Sequence, residues 1–259
     1  MPEGDTVWRT AHRLHEALAG RPLTVSDFRV PAFATLDLTG QVVESAVSRG
    51  KHLVVRTPEV SIHSHLKMEG AWHVYRLDTR WRRPAHSARA VLANAEWQAV
   101  GFSLGVLEVL ERDAEADALA YLGPDLLGPD WDLDEAVRRV GSDPERPVFL
   151  ALLDQRNLAG FGNEYVNEIC FLHGQLPTRP VGEVGDLRRV VSRGHRLLDL
   201  NKARIERAFT GSTRPGEERW VYGREGKPCR RCGTRIRKGS LGDTPLTERD
   251  TYWCPRCQT

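Results

Sequence analysis

Reactive residue types stand at both ends of the chain. It begins Met1-Pro2-Glu3-Gly4. The small residue at position 2 permits removal of Met1, and Pro2 then carries a secondary amine. Such an amine attacks an electrophilic sugar or carbonyl-type carbon and forms a cationic iminium. An α-amino group titrates near ~8 against ~10.4 for lysine, so far more of it is unprotonated at neutral pH. Glu3 places a carboxyl group beside it to move protons. At the other end, Cys229-x-x-Cys232 and Cys254-x-x-Cys257 are separated by 21 residues, the spacing of a four-cysteine zinc site. Two disulfides are the alternative, which the lack of an export signal disfavours because the cytosol keeps thiols reduced. Four cysteine ligands leave no open position for a water, so the expected zinc ion, one per chain, is structural.

Three further features are ambiguous on their own. In LLDQRNLAGFGNEYVNEICF, Gly160 and Gly162 permit a tight reversal between two helices, and Asn163 sits where the second helix points its free amides outward. A structural helical hairpin with an Asn cap fits the same residues. Lys51 follows the tight Arg49-Gly50 turn and precedes the strand-like HLVVR. Alone, it reads as a surface lysine. His63 and His65 alternate on one face of a strand; with no third ligand visible, they read as ordinary strand residues. Cys170, among Val166, Ile169 and Phe171, reads as a core residue.

The elements that must position these residues follow from periodicity. Residues 6–20 put Val7, Ala11, Leu14 and Leu18 on one helical face, closed by Gly20. From 23 to 110 the chain turns to short β-rich runs, among them ATLDL, HLVVRT, SIHSHLKM and AWHVYRL, which predicts an antiparallel sandwich or barrel. Residues 134–210 return to helical period, and the last forty are basic and short-stranded. The expected division is 1–120, a linker over 121–133, a helical domain over 134–220 and a zinc module over 221–259. At 40% hydrophobic and 28% charged, the 259 residues suit a globular protein with a full core. No apolar run approaches the ~20 residues of a membrane span, and Asp5, Arg9, His12 and Arg13 interrupt any leader-like start. A cytoplasmic protein is therefore expected. Net charge is only +2, yet residues 224–238 hold seven Lys and Arg against one acid, a cluster that favours phosphate on so compact a module.

In order and at matching spacing, MPEG, SRGKHL at 48–53, HLKMEG at 65–70, LGPDLL at 122–127, LLDQRNLAGFGNEYVNE at 152–168, WVYGREGKPCRRCG at 220–233 and YWCPRCQ at 252–258 resemble the formamidopyrimidine-DNA glycosylase and endonuclease VIII family of base-excision repair enzymes. The resemblance implies an α+β fold: an N-terminal antiparallel β-sandwich with a leading helix, then a helical domain with a helix–two-turns–helix motif and a zinc β-hairpin. It implies a bifunctional DNA glycosylase and abasic-site lyase, acting as a monomer on damaged duplex DNA and nucleoid-associated when bound. Carried over by residue, Pro2 resembles the Schiff-base nucleophile and Glu3 the acid that protonates the deoxyribose ring oxygen. Lys51 matches the phosphate-contacting hairpin lysine with a proton-donor role in β-elimination. Arg249 matches the zinc-hairpin arginine that grips phosphate and assists δ-elimination. Lys67 and Met68 lie in the loop that fills the gap left by a flipped base, and Asn163 in the DNA-binding turn.

The chain departs from the family pattern in three places. Thr6 stands where a glutamate is frequent, so no lesion contact by that glutamate transfers. Residues 102–121 hold no Arg and Phe two apart, the pair that the purine-repair branch inserts. TGSTRPGEERWVYGR is short for that branch's capping loop. These absences point to the endonuclease VIII branch and oxidised pyrimidines. The alternatives are oxidised purines (formamidopyrimidine, 8-oxoguanine), or a non-catalytic DNA-binding relative if Met1 is retained.

Overall fold

The structure, a computed structural model, describes residues 2–259; Met1, and with it the state of the N-terminus, lies outside the described residues. The chain divides after Tyr121 into two compact units.

In the first unit, α1 (Gly4–Leu18) buries Val7, Ala11, Leu14 and Leu18, the face that their spacing selects. Eight strands follow: β1 (Val25–Phe28), β2 (Ser45–Arg49), β3 (His52–Arg56), β4 (Val60–His65), β5 (Ala71–Arg76), β6 (Ala88–Ala93), β7 (Trp97–Phe102) and β8 (Val106–Glu111). They form two antiparallel sheets, ordered β1-β6-β7-β5 and β2-β3-β4-β8. Phe28, Ala90, Leu92 and Ala99 of one sheet share a core with Leu53, Val55 and Ile62 of the other and with the buried face of α1. Each such Leu, Ile, Val or Phe contributes about 1.5–3 kcal/mol by leaving water. ATLDL is not a strand: the Asp37 carboxylate accepts the Thr39 amide at 2.8 Å, closing a local turn instead. A short helix, α2 (Glu115–Ala118), ends the unit.

The second unit carries α3 (Leu133–Val140), α4 (Val148–Leu153), α5 (Asn163–Leu172) and α6 (Leu187–Asn201), then the hairpin of β9 (Arg237–Leu241) and β10 (Arg249–Trp253). Its core joins Phe149, Leu152, Phe161, Tyr165, Ile169, Val191 and Leu198. Leu126, from the stretch expected to be linker, is fully buried among them. The helical period after 187 runs on in sequence to Phe209, but α6 stops at Asn201. The buried Asn201 carboxamide accepts the Ala208 amide at 3.0 Å, holding the chain in a loop. The fold is α+β, as expected.

Between α4 and α5 the chain makes two turns held by side-chain amides. Asn157 Nδ2 donates to Ala151 O at 2.9 Å, and Gln155 Nε2 donates to Leu153 O and Phe161 O at 2.7 and 2.9 Å. Gln155 Oε1 accepts the Gly160 amide at 3.0 Å, where Gly160 has φ +123°, a backbone that L side chains rarely adopt.

Candidate active site and metal centre

The head of α1 carries the first candidates. Glu3 is the N-cap and fully buried, and its carbonyl accepts the Val7 amide at 3.0 Å. Asp5, also fully buried, accepts the Thr6 amide at 2.6 Å. Two carboxyl groups thus sit side by side at the head of the helix. Half-buried Pro2 precedes them. α1 packs on β2 and β3, with His15 Nδ1 accepting the Ala46 amide at 3.2 Å, so the helix bearing Pro2 rests on the hairpin bearing Lys51.

That hairpin pairs Arg49 with His52 and leaves Gly50 and Lys51 as its two-residue turn. Gly50 has φ +57°, the left-handed value such a turn needs at its first central position. His52 in turn pairs with His65 across β3 and β4. Just beyond His65 the chain leaves the sheet as a loop. Leu66 is buried, Lys67 adopts φ 54°, and Met68 is 68% exposed at the tip. Two glycines make this shape possible. A Cβ on Gly70 would lie 2.3 Å from Leu66 O, and one on Gly105 would lie 2.2 Å from Lys67 Cγ. Met68 thus stands exposed between a lysine and an acid, Glu69.

In the second unit, Asn163 opens α5 and is buried, next to Glu164. Glu164 is clamped by Arg207 at 2.7 Å and Arg219 at 2.6 Å. One turn on, Asn167 shares its amide hydrogens among Asn163 O (2.8 Å), Asn163 Oδ1 (3.2 Å) and Asp250 O (3.1 Å). Arg249, exposed at the head of β10, donates to the carbonyls of Thr247 and Glu248 at 3.1 and 2.8 Å. Asn163 and Arg249 are therefore organised through Asn167, a residue that sequence reasoning did not single out. Glu168 was also missed. Fully buried, it accepts the amides of Trp220, Val221 and Tyr222 at 2.8–2.9 Å, and burial pushes its carboxyl up to about 7 against their pull.

The four cysteines converge. Their Sγ atoms all lie within 4.8 Å of one another. Cys232 and Cys254 are 3.4 Å apart and Cys229 and Cys257 4.0 Å, with no disulfide among the described residues. A tetrahedron of sulfurs at ~2.3 Å from an ion has edges of ~3.8 Å, so the set fits a bound metal. Tight turns present it: Gly233 N donates to Cys229 O at 2.9 Å and Cys257 N to Cys254 O at 3.2 Å. Cys170 lies apart, 1% exposed, with burial pushing its thiol up to about 12, which makes it inert.

His63 and His65 also gain a neighbour. Within the first unit, His52 stacks on His63 and meets His65 edge-on, each at 5.0 Å between ring centres. The third imidazole comes from another strand, so sequence spacing could not show it.

A sequence model of the formamidopyrimidine-DNA glycosylase N-terminal domain matches residues 1–103. The chain is 54% identical over 259 residues to a DNA-(apurinic or apyrimidinic site) lyase Nei2 of Mycolicibacterium smegmatis, covering 100% of this chain and 99% of that one. It is 51% identical over 262 residues to a probable endonuclease 8 2 of Streptomyces coelicolor, covering 100% and 94%. In fold it is similar to MutM solved in complex with DNA containing carbocyclic 8-oxo-G, with TM-score 0.82, 22% identity and full coverage of both chains.

Proposed function

The chain belongs to the formamidopyrimidine-DNA glycosylase and endonuclease VIII family, and from that premise we propose the chemistry of Pro2 and its neighbours. The protein is a DNA glycosylase with abasic-site lyase activity. The Pro2 amine bonds to C1′ of the damaged nucleotide as the bond from C1′ to the base breaks. Glu3 protonates the ring oxygen, which opens the sugar and leaves an iminium. The iminium acidifies the 2′ hydrogen; its removal expels the 3′ phosphate, and a second elimination expels the 5′ phosphate. The observation that carries this reading is the pairing of Pro2 with the fully buried carboxyl group of Glu3 at the head of α1.

The remaining residues bind and position. Lys51 grips phosphate and supplies a proton in β-elimination. Arg249 forks onto a phosphate and assists δ-elimination, and Asn163 brings the amides of a helix start to the backbone. The damaged nucleotide swings out of the stack at a cost of a few kcal/mol, least for a poorly paired base. Met68 fills the gap as an apolar wedge, with Lys67 beside it. Cys229, Cys232, Cys254 and Cys257 hold one zinc ion, which supplies cross-linking and no open position for catalysis. The protein works as a monomer in the cytoplasm, on the nucleoid when bound. Among the described residues, no helix is long and apolar enough to cross a membrane.

Oxidised pyrimidines are the proposed substrates. β7 ends at Phe102 and β8 begins at Val106, and the three residues that join them, Ser103, Leu104 and Gly105, include neither Arg nor Phe. The 210–217 loop is closed on itself, with Thr210 Oγ1 donating to Glu217 O at 2.7 Å. Single-turnover excision of thymine glycol should exceed that of 8-oxoguanine opposite cytosine by at least ~10-fold, about 1.4 kcal/mol of barrier. Equal rates, or a preference for 8-oxoguanine, would move the protein to purine repair with the Pro2 chemistry intact.

A further inference from the structure

The outer face of the β2-β3-β4-β8 sheet carries a continuous line of hydrogen bonds. Register puts His52, His63, His65 and Glu108 on that one face. Glu108 Oε2 lies 2.9 Å from His63 Nδ1, His63 Nε2 lies 2.8 Å from His52 Nδ1, and His52 Nε2 lies 2.9 Å from the Tyr121 hydroxyl. The line begins at a carboxylate whose side chain is 53% exposed and passes through an imidazole whose side chain is 7% exposed.

Its direction follows from the chemistry of its ends. A carboxylate only accepts, so His63 carries its proton on Nδ1 and accepts on Nε2. His52 must then donate from Nδ1 and accept on Nε2. Tyr121 closes the line as the donor, since burial and Glu108 raise its phenol above the ordinary value and keep it protonated. His52 stays neutral as well: burial pushes its imidazolium down to about 3, helped by His65, His63, Lys67 and Lys51. Both ring nitrogens of His52 are thus committed, one to each side, in a single tautomer. His52 is also the residue after Lys51 and the strand partner of His65, whose Nδ1 accepts the Lys67 amide at 3.0 Å.

We propose that Glu108, His63 and Tyr121 are positioning residues that lock His52 and, through it, fix the turn presenting Lys51 against the 66–70 loop. The proposal rests on the role given to Lys51 above. Without the carboxylate, the line can run in either direction: His63 can donate from Nε2, His52 can reverse, and Tyr121 becomes the acceptor. The two arrangements compete, and the turn that carries Lys51 no longer rests on a His52 held in one state.

The test uses the full-length, metal-loaded protein. Long-range proton–nitrogen correlation spectra of the imidazoles at neutral pH should show His52 and His63 protonated on Nδ1 and His65 on Nε2. Glu108→Asp keeps an accept-only carboxylate and should retain both tautomers, whereas Glu108→Leu should mix Nδ1- and Nε2-protonated His63. In single-turnover β-elimination of a preformed abasic site, Glu108→Leu should be slower by at least ~3-fold, a small part of the ~100-fold that an ångström of misplacement can cost. Glu108→Asp should stay closer to wild type than Glu108→Leu, although Leu keeps more of the side-chain bulk, an order that a role for bulk alone would reverse. Nε2-protonated His52 or His63 in the wild-type protein overturns the proposal. So does a Glu108→Leu protein with wild-type rates beside an impaired Lys51→Ala. A Lys51→Ala protein with wild-type elimination overturns the Lys51 role, and the positioning role falls with it.

Discussion

Asn167 Oδ1 accepts the backbone amide of Tyr252 at 2.6 Å, one of the shortest links between α5 and β10. The same carboxamide donates to Asp250 O and to Asn163. One buried side chain therefore sets the distance from the helix start at Asn163 to the hairpin strand that begins at Arg249.

Removing the Arg249 cation should weaken DNA binding on all sequences alike and lower the log–log salt slope by about 0.9, the contribution of one phosphate contact. Arg249→Ala should also shift products from δ- towards β-elimination. Its exposed side chain predicts little change in stability. Asn167→Ala should weaken binding as broadly without altering the slope, and should cost about 1–3 kcal/mol in unfolding free energy because buried amides lose partners. Salt titrations and urea melts check both; an effect confined to one lesion or flanking sequence would mean base reading instead.

The metal site predicts about one zinc per chain. The cluster around it is small, with Phe171, Val221, Ile236 and Tyr252 packed on Cys229 and Cys254. Little apolar burial remains if the cross-link is lost. Cys254→Ser should lose metal and DNA affinity together, measured by elemental analysis and binding on the same preparation. A metal-free protein with full incision activity would contradict this.

Much of this arrangement was legible in the sequence because it is local. The Val7, Ala11, Leu14 and Leu18 period fixes how α1 lies, and paired Cys-x-x-Cys turns fix the metal ligands. What stayed hidden is non-local or masked by unusual burial. β8 reads VLEVLE, which lacks strand alternation: Leu107 and Val109 pack on the core, while the other face carries Val106, Glu108 and Leu110. The His52–His63–Glu108 line spans three strands, and Asn167 meets its partner 85 positions away. No spacing rule reaches those pairs.

A histidine predicts the acid side of stability. Burial pushes His173 down to about 4 from 6.5, with Arg193 and Arg189 adding to the effect, and its Nε2 is buried with no hydrogen-bond partner among the described residues. The unfolded chain therefore takes up a proton near pH 6.5 that the folded chain refuses. The neutral ring's contribution is full above pH 6.5 and is lost as pH falls towards 4. Tm should drop between pH 7 and 5, and His173→Gln should flatten that drop. An unchanged slope in the variant would contradict the assignment.

The central claim is that Pro2 is the nucleophile, and covalent trapping tests it most directly. Borohydride added during reaction with abasic DNA should reduce the iminium and leave a stable protein–DNA adduct. Peptide mapping of that adduct should place it on Pro2, with Met1 absent. Pro2→Gly should still bind the DNA yet lose most of the trapped product. An adduct mapped to Lys51 in the wild-type protein, or trapping by chains that retain Met1, would contradict the account.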